Sequence, residues 1–263
     1  MPPDDKSACP AALVTGAARG IGRAIAVQLA ESGYAVLVNY LASDQAAGDV
    51  ADQIRAAGGK SIALRGDVAL AADRQAMVER AVSEFGRLDV LVNNAGITSQ
   101  GRHDLLDATE ESWDRVFDTN LKGPFFLSQL AARRMIGLMA AGAIERGKII
   151  NISSISSYAV STNRADYCLT KSAMQMLTWL LADRLAAERI QVFEVCPGVI
   201  ETDMTQPVKE KYDRLIAQGL APLMRWGQPE DVARAVAAIV SDYFPYSTGE
   251  RINVDGGFHI RRL

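Results

Sequence analysis

What most constrains this chain is an alternation of short runs that are apolar throughout with stretches of helical periodicity. The runs fall at 11–15, 35–40, 61–65, 88–92, 148–152, 190–195 and 250–254, and the helical patterns lie near 20–32, 44–57, 70–85, 109–141, 165–188 and 229–241. A strand such as Val90-Leu91-Val92, apolar at successive positions, has no face left for water. That is the signature of a parallel sheet covered by helices on both sides. The pattern predicts an α/β chain with a single-domain, doubly wound Rossmann fold over 1–263. Its core is a central parallel seven-stranded sheet with helices on both faces. In such sheets ligands bind beyond the carboxyl ends of the strands. The segment 198–225 is the one long connection without a strand, which makes it a candidate substrate lid.

Composition narrows the function classes. A chain of 263 residues that is 49% hydrophobic can bury one sizeable core. A formal net charge of −3 leaves no basic surplus for nucleic acid. The first ten residues, MPPDDKSACP, have neither the basic nor the apolar region of a leader. No apolar run reaches the roughly 20 residues of a membrane helix. Cys9, Cys168 and Cys196 show no short pairing, and His103 and His259 no zinc spacing. The expectation is a cytoplasmic protein with no metal, no membrane and no nucleic-acid partner.

Directly after the first run comes Thr15-Gly16-Ala17-Ala18-Arg19-Gly20-Ile21-Gly22, leading into a helix. Gly16 permits a tight turn, and Gly20 and Gly22 let backbone amides approach a pyrophosphate with no Cβ in the way. The spacing differs from the common G-x-G-x-x-G fingerprint. Taken alone, a glycine turn between a strand and a helix is also ordinary punctuation.

Further strings stand at successive strand ends: Asp67-Val68, Asn93-Asn94-Ala95-Gly96, and Pro197-Gly198 with Thr202, while Tyr167-Cys168-Leu169-Thr170-Lys171 opens a long helix. Together with Thr15–Gly22, and with Tyr246-Ser247-Thr248-Gly249 and Asp255-Gly256-Gly257 near the end, this series resembles the short-chain dehydrogenase/reductase family, most of all its 3-oxoacyl-[acyl-carrier-protein] reductase-like members. The resemblance implies an oxidoreductase that moves a hydride between a nicotinamide and a carbonyl or alcohol carbon. It further implies that Gly16, Arg19, Gly20, Ile21, Gly22, Asn94, Ala95 and Gly96 hold the cofactor. Asp67 and Val68 would meet adenine, and Pro197, Gly198 and Thr202 the nicotinamide carboxamide.

In relatives that prefer NAD, an acidic residue closes the second strand. Here that position is Tyr40, so no carboxylate repels a 2′-phosphate, and NADP(H) is favoured over NAD(H). Arg19 supplies a positive charge for that phosphate and Ser43 or Asn39 a hydrogen bond. Arg19 reads equally as a solvated helix-start residue.

Tyrosine and lysine four apart share one helical face. The resemblance makes Tyr167 the general acid/base and Lys171 the group that binds the nicotinamide ribose and lowers the phenol pKa. Ser154, thirteen residues before Tyr167, would bond the substrate oxygen. Ser153, Ser156 and Ser157 are close neighbours in the same run. Asn120 matches the asparagine whose helix kink keeps a water on the proton path from Lys171. The resemblance suggests a 3-oxoacyl thioester as substrate, with sugars, polyols, steroids or other free carbonyls as the alternative. Basic residues expected to meet an acidic carrier protein are diluted here to Glu145-Arg146 and Glu188-Arg189. A catalytically silent nucleotide sensor on the same fold is the reading from another class. Surplus apolar residues at 109–141 and 165–188, among them Met174, Met176, Leu177, Trp179 and Leu180, predict a homo-oligomer, either dimer or tetramer.

Overall fold

The computed structural model describes residues 9–261. Residues 1–8, expected to carry no leader, lie outside the described residues, as do 262–263. The strands are β1 (Ala11–Val14), β2 (Ala35–Tyr40), β3 (Ser61–Arg65), β4 (Val90–Asn93), β5 (Gly147–Ile152), β6 (Ile190–Pro197) and β7 (Arg251–Val254). They form one parallel sheet in the order β3-β2-β1-β4-β5-β6-β7. Chain order reverses between β1 and β4, and that reversal opens a crevice at the carboxyl ends.

The wholly apolar strands have a direct cause in the two layers of core. Val14, Val38 and Val195 pack on one face with Ile25 and Leu29 of α1 (Gly20–Glu31) and with Val232 and Val236 of α8 (Pro229–Val240). Leu13, Leu37 and Leu91 face the opposite layer. There they meet Met77 of α3 (Ala71–Phe85), Leu127 and Met135 of α5 (Gly123–Ala140), and Leu185 of α6 (Ala165–Leu185). Each fully buried aliphatic contributes roughly 1.5–3 kcal/mol. α2 (Asp44–Ala56) packs by the edge strand β3, and α4 (Glu110–Phe117) packs on α6. No helix among the described residues is long and apolar enough to cross a membrane.

Two elements differ from the sequence expectation. The helical stretch 109–141 is interrupted by a π-helical turn, Asp118–Lys122, between α4 and α5. The segment 198–225 contains a helix, α7 (Lys209–Ala217). In α7 only Ile216 is buried, so no apolar stripe betrays it in the sequence. The base of this segment is pinned to the body. Gly227 donates to the Val199 carbonyl at 3.0 Å, and Glu201 donates to the Gly227 carbonyl at 2.9 Å.

Candidate active site

At the switch point the turn after β1 is held in a shape only glycine accepts. Gly16 and Gly20 have φ of 62° and 53°, in the left-handed region. A Cβ on Gly22 would stand 2.3 Å from the Gly16 carbonyl oxygen. Three polar side chains brace this turn. Thr15 Oγ1 accepts from the amides of Asn94 and Ala95 at 3.0 Å each. Asn94 Nδ2 donates to the carbonyls of Thr15 and Gly16 at 2.8 and 3.1 Å. Asn39 accepts from the Gly16 amide at 3.3 Å and donates to the Gly66 carbonyl at 2.9 Å. Asn39, one of the two residues expected to bond a 2′-phosphate, is buried at the edge of the cleft. Its hydrogen bonds are spent on the loops around β1, β2 and β3.

Helix α1 starts at Gly20 with no side-chain cap and no acidic residue in its first turn. Its first amides and the positive end of its dipole are therefore open to an anion. They border a cleft of about 350 Å³ that runs from Gly16, Arg19, Gly20, Ile21 and Gly22 past Tyr40, Asp67 and Val68. It continues by Asn94, Ala95 and Gly96 to Tyr167 and Lys171, beneath Thr202. Pro197 and Gly198 do not line it. A Cβ on Gly198 would come within 2.6 Å of Asp255 Cα, so this glycine serves the contact with the end of β7. A second cavity, about 390 Å³, lies between Ile216, Leu223, Asp255 and His259, and contains neither Tyr167 nor Lys171.

Two acidic neighbours of the cleft escaped the sequence reading. Arg19 lies 3.5 Å from Asp203, both side chains being 72% exposed, so the pair is worth little by itself. The Tyr40 phenol is raised by desolvation and then by the Asp44 carboxylate. Asp44 opens α2, where an acidic residue already has a structural reason to sit. Nothing in the string marks it as a cleft residue.

At the other end of the cleft, β5 delivers Ser153 and Ser154, and α6 delivers Tyr167 and Lys171 one turn apart. The two serines separate clearly. Ser153 is buried, and both its amide and its hydroxyl donate to the Val195 carbonyl, at 2.9 and 3.5 Å. Ser154 caps the next turn by accepting from the Ser156 amide at 3.1 Å, and it lies close enough to Tyr167 to pull that phenol down. Asn120 stands on the π-helical turn, fully buried. Its Oδ1 accepts from the Ile97 amide and its Nδ2 donates to the Ile97 carbonyl, each at 2.9 Å.

Burial dominates the electrostatics of both groups. Burial raises the Tyr167 phenol above its ordinary value, with Ser154 and Arg164 pulling it back. Lys171, the lysine expected to lower this phenol, comes near the ring but spends its ammonium on the backbone. Nζ donates to the Ile152 carbonyl at 2.9 Å and stands 5.7 Å from the Tyr167 ring centroid. Burial pushes Lys171 itself down to about 8. Asp166 is a further buried group that sequence reasoning missed. Its carboxylate accepts from Ser112 at 2.6 Å, from the Tyr167 amide at 2.7 Å, and from Ser99. It ties the start of α6 to α4 and to the loop after β4.

One cleft thus joins an anion-accepting turn to a phenol that can exchange a proton, which defines an oxidoreductase of the single-domain Rossmann class. More narrowly, the chain belongs to the short-chain dehydrogenase/reductase family. The family model described as Enoyl-(Acyl carrier protein) reductase matches residues 16–259. The 3-oxoacyl-[acyl-carrier-protein] reductase FabG of Staphylococcus aureus is 44% identical over 250 residues, covering 95% of this chain and 98% of that protein. The crystal structure of a 3-oxoacyl-[acyl-carrier protein] reductase from Brucella melitensis in complex with NAD superposes with a TM-score of 0.91 at 41% identity. It covers 97% of this chain and 99% of that one. A short-chain dehydrogenase/reductase from Serratia marcescens gives 0.87 at 37% identity, covering 95% and 98%.

Proposed function

We propose that the protein reduces the 3-oxo group of an acyl thioester, with NADPH as hydride donor. The observation that carries this reading is Tyr167, with Ser154 beside it, at one end of the cleft that begins at the uncapped start of α1. The α1 amides would take the pyrophosphate, Asp67 and Val68 the adenine, and Lys171 the nicotinamide ribose. Bound there, the nicotinamide supplies the hydride. Ser154 then holds the substrate oxygen, and Tyr167 gives its proton as negative charge develops on that oxygen. A buried phenol that keeps its proton near neutrality is suited to the reductive direction. Asn120, holding both backbone groups of Ile97 from the π-helical turn, keeps the floor of the site in place for proton resupply through Lys171.

Arg146 is paired with Asp242, and Arg184 with Glu188. The cation just before β5 is thus spent on a carboxylate of the protein's own, so recognition rests on the acyl thioester more than on an acidic carrier surface. The test is NADPH consumption with acetoacetyl thioesters of N-acetylcysteamine and of a carrier protein, beside diketones, sugars, polyols and steroids. The thioesters should give the highest kcat/KM, and a sugar, polyol or steroid that surpasses them overturns the reading. NADPH should also bind more tightly than NADH when both are titrated by tryptophan fluorescence, because Tyr40 ends β2 without a carboxylate. Tyr40→Asp should shift the preference toward NADH. Tighter NADH binding by the unaltered protein would rule out the proposed preference.

A further inference from the structure

Tyr167 stands between two cations, and only one of them is accounted for by the site described above. Lys171 is on one side, its ammonium committed to the Ile152 carbonyl. On the other is Arg164, the residue just before α6, whose guanidinium carbon lies 5.3 Å from the Tyr167 ring centroid. Its contacts are weak. Nε and one terminal nitrogen donate to the hydroxyls of Ser161 and Ser156, each at 3.4 Å. Neither serine carries charge, and among the described residues no carboxylate comes within ion-pairing distance of this guanidinium. The closest acid in sequence, Asp166, is satisfied by Ser99, Ser112 and the Tyr167 amide. A guanidinium presents five donors in a planar fork matched to two oxygens. Most of that fork is unspent, over the ring of the phenol proposed to meet the reacting carbonyl and next to the residues that line the cleft.

We infer that Arg164 binds the second oxygen function of the substrate, the carbonyl or carboxylate oxygen two carbons from the carbon that receives the hydride. The inference rests on the proposed reduction of a 3-oxo group and adds the residue that selects for it. A 3-oxoacyl thioester offers its thioester carbonyl at that place, and a free 3-oxo acid offers a carboxylate. Both are oxygen acceptors in one position. The ionised one gains more from a guanidinium, because charge-assisted hydrogen bonds are about twice as strong as neutral ones. An isolated ketone offers nothing there.

The experiment compares kcat/KM for acetoacetate, S-acetoacetyl-N-acetylcysteamine and 2-pentanone in the unaltered protein and in Arg164→Gln. The variant should lose at least about tenfold more on acetoacetate than on 2-pentanone, with the thioester between them. An equal loss on all three would mean that Arg164 acts through the tyrosine alone, and overturns the inference. Calorimetric titration with 3-hydroxybutyrate reads the same contact without turnover. Its affinity should fall about tenfold or more in Arg164→Gln, and an unchanged affinity also overturns it. A protein that binds 3-hydroxybutyrate through Arg164 yet reduces no 3-oxo compound would refute the proposed function and leave this site standing.

Discussion

At the scale of single residues, Tyr167 and Lys171 make opposite demands on the fold. Tyr167→Phe deletes one oxygen beside Ser154, and leaves the α6 packing and the Thr170 bond to the residue-167 carbonyl in place. Turnover should therefore fall by about 10²–10⁴, the usual worth of a general acid. Cofactor affinity and melting temperature should stay near those of the unaltered protein. A variant that retains full kcat on a verified substrate removes Tyr167 from the mechanism. Lys171 carries its cost in stability. Its folded-state value is about 8, against an ordinary 10.5. Between those values the unfolded chain holds a proton that the folded chain has released, so stability rises with pH across that window. Below about pH 8 both states hold the proton and the burial penalty is constant. At about 1.36 kcal/mol per pH unit the rise is worth roughly 3 kcal/mol. Lys171→Met, which titrates nowhere, should lack it. Urea unfolding of both proteins at about pH 7 and about pH 10 measures the difference. A gap between them that stays constant with pH would show that burial does not depress this lysine.

At the scale of elements, what could be read in the sequence follows from what each element buries. The strands were legible because Leu13 and Val14, adjacent in sequence, belong to different core layers, which forces an unbroken apolar run. The glycine turn was legible because positive φ at Gly16 and Gly20 restricts the residue type. The roles of Asn39 and Asp166 were not, since a polar residue that braces a loop from inside is spelled like one that meets a ligand. The π-helical turn at Asp118–Lys122 was likewise hidden within a helical pattern, and only the family resemblance pointed to a kink at Asn120. α7 escaped because its charged surface hides its one buried residue. The segment that holds α7 borders the cleft at its start. Thr202 and Met204 line the cleft, while Leu223 and Met224 are more than half exposed. Its base is fastened by the Val199–Gly227 and Glu201–Gly227 bonds, so motion should be confined to the part between. We expect backbone hydrogen exchange over 202–225 to slow when NADP⁺ and a 3-hydroxyacyl thioester are bound together, as closure shields the hydride path from water. Exchange that is equally slow with and without ligands would make this segment a fixed wall.

At the scale of the whole molecule, the apolar surface is unevenly distributed. Leu169, Met176 and Leu180 form a stripe along the outer face of α6, spaced seven and four residues apart, and Leu180 is 58% exposed. Trp113 on α4, with Phe125 and Phe126 on α5, adds exposed aromatic surface from the neighbouring part of the chain. Single exposed apolar residues need no explanation, but a run of them along consecutive helices does. A face presented by helices and lacking net charge along its stripe suits isologous pairing, in which each residue meets the same patch on a second copy. Burying it would stabilise the two helices that carry Asn120-adjacent backbone and the Tyr167–Lys171 pair, linking assembly to the geometry of the site. We therefore expect light scattering at micromolar concentration to give a mass of at least twice the 28.3 kDa chain. Leu180→Glu places two like charges near each other across such a contact and should shift the population toward monomer. The side chain is exposed in the single chain, so the variant's secondary structure should be unchanged. A monomer in the unaltered protein, or an assembly indifferent to Leu180→Glu, would show that this stripe is not the contact surface.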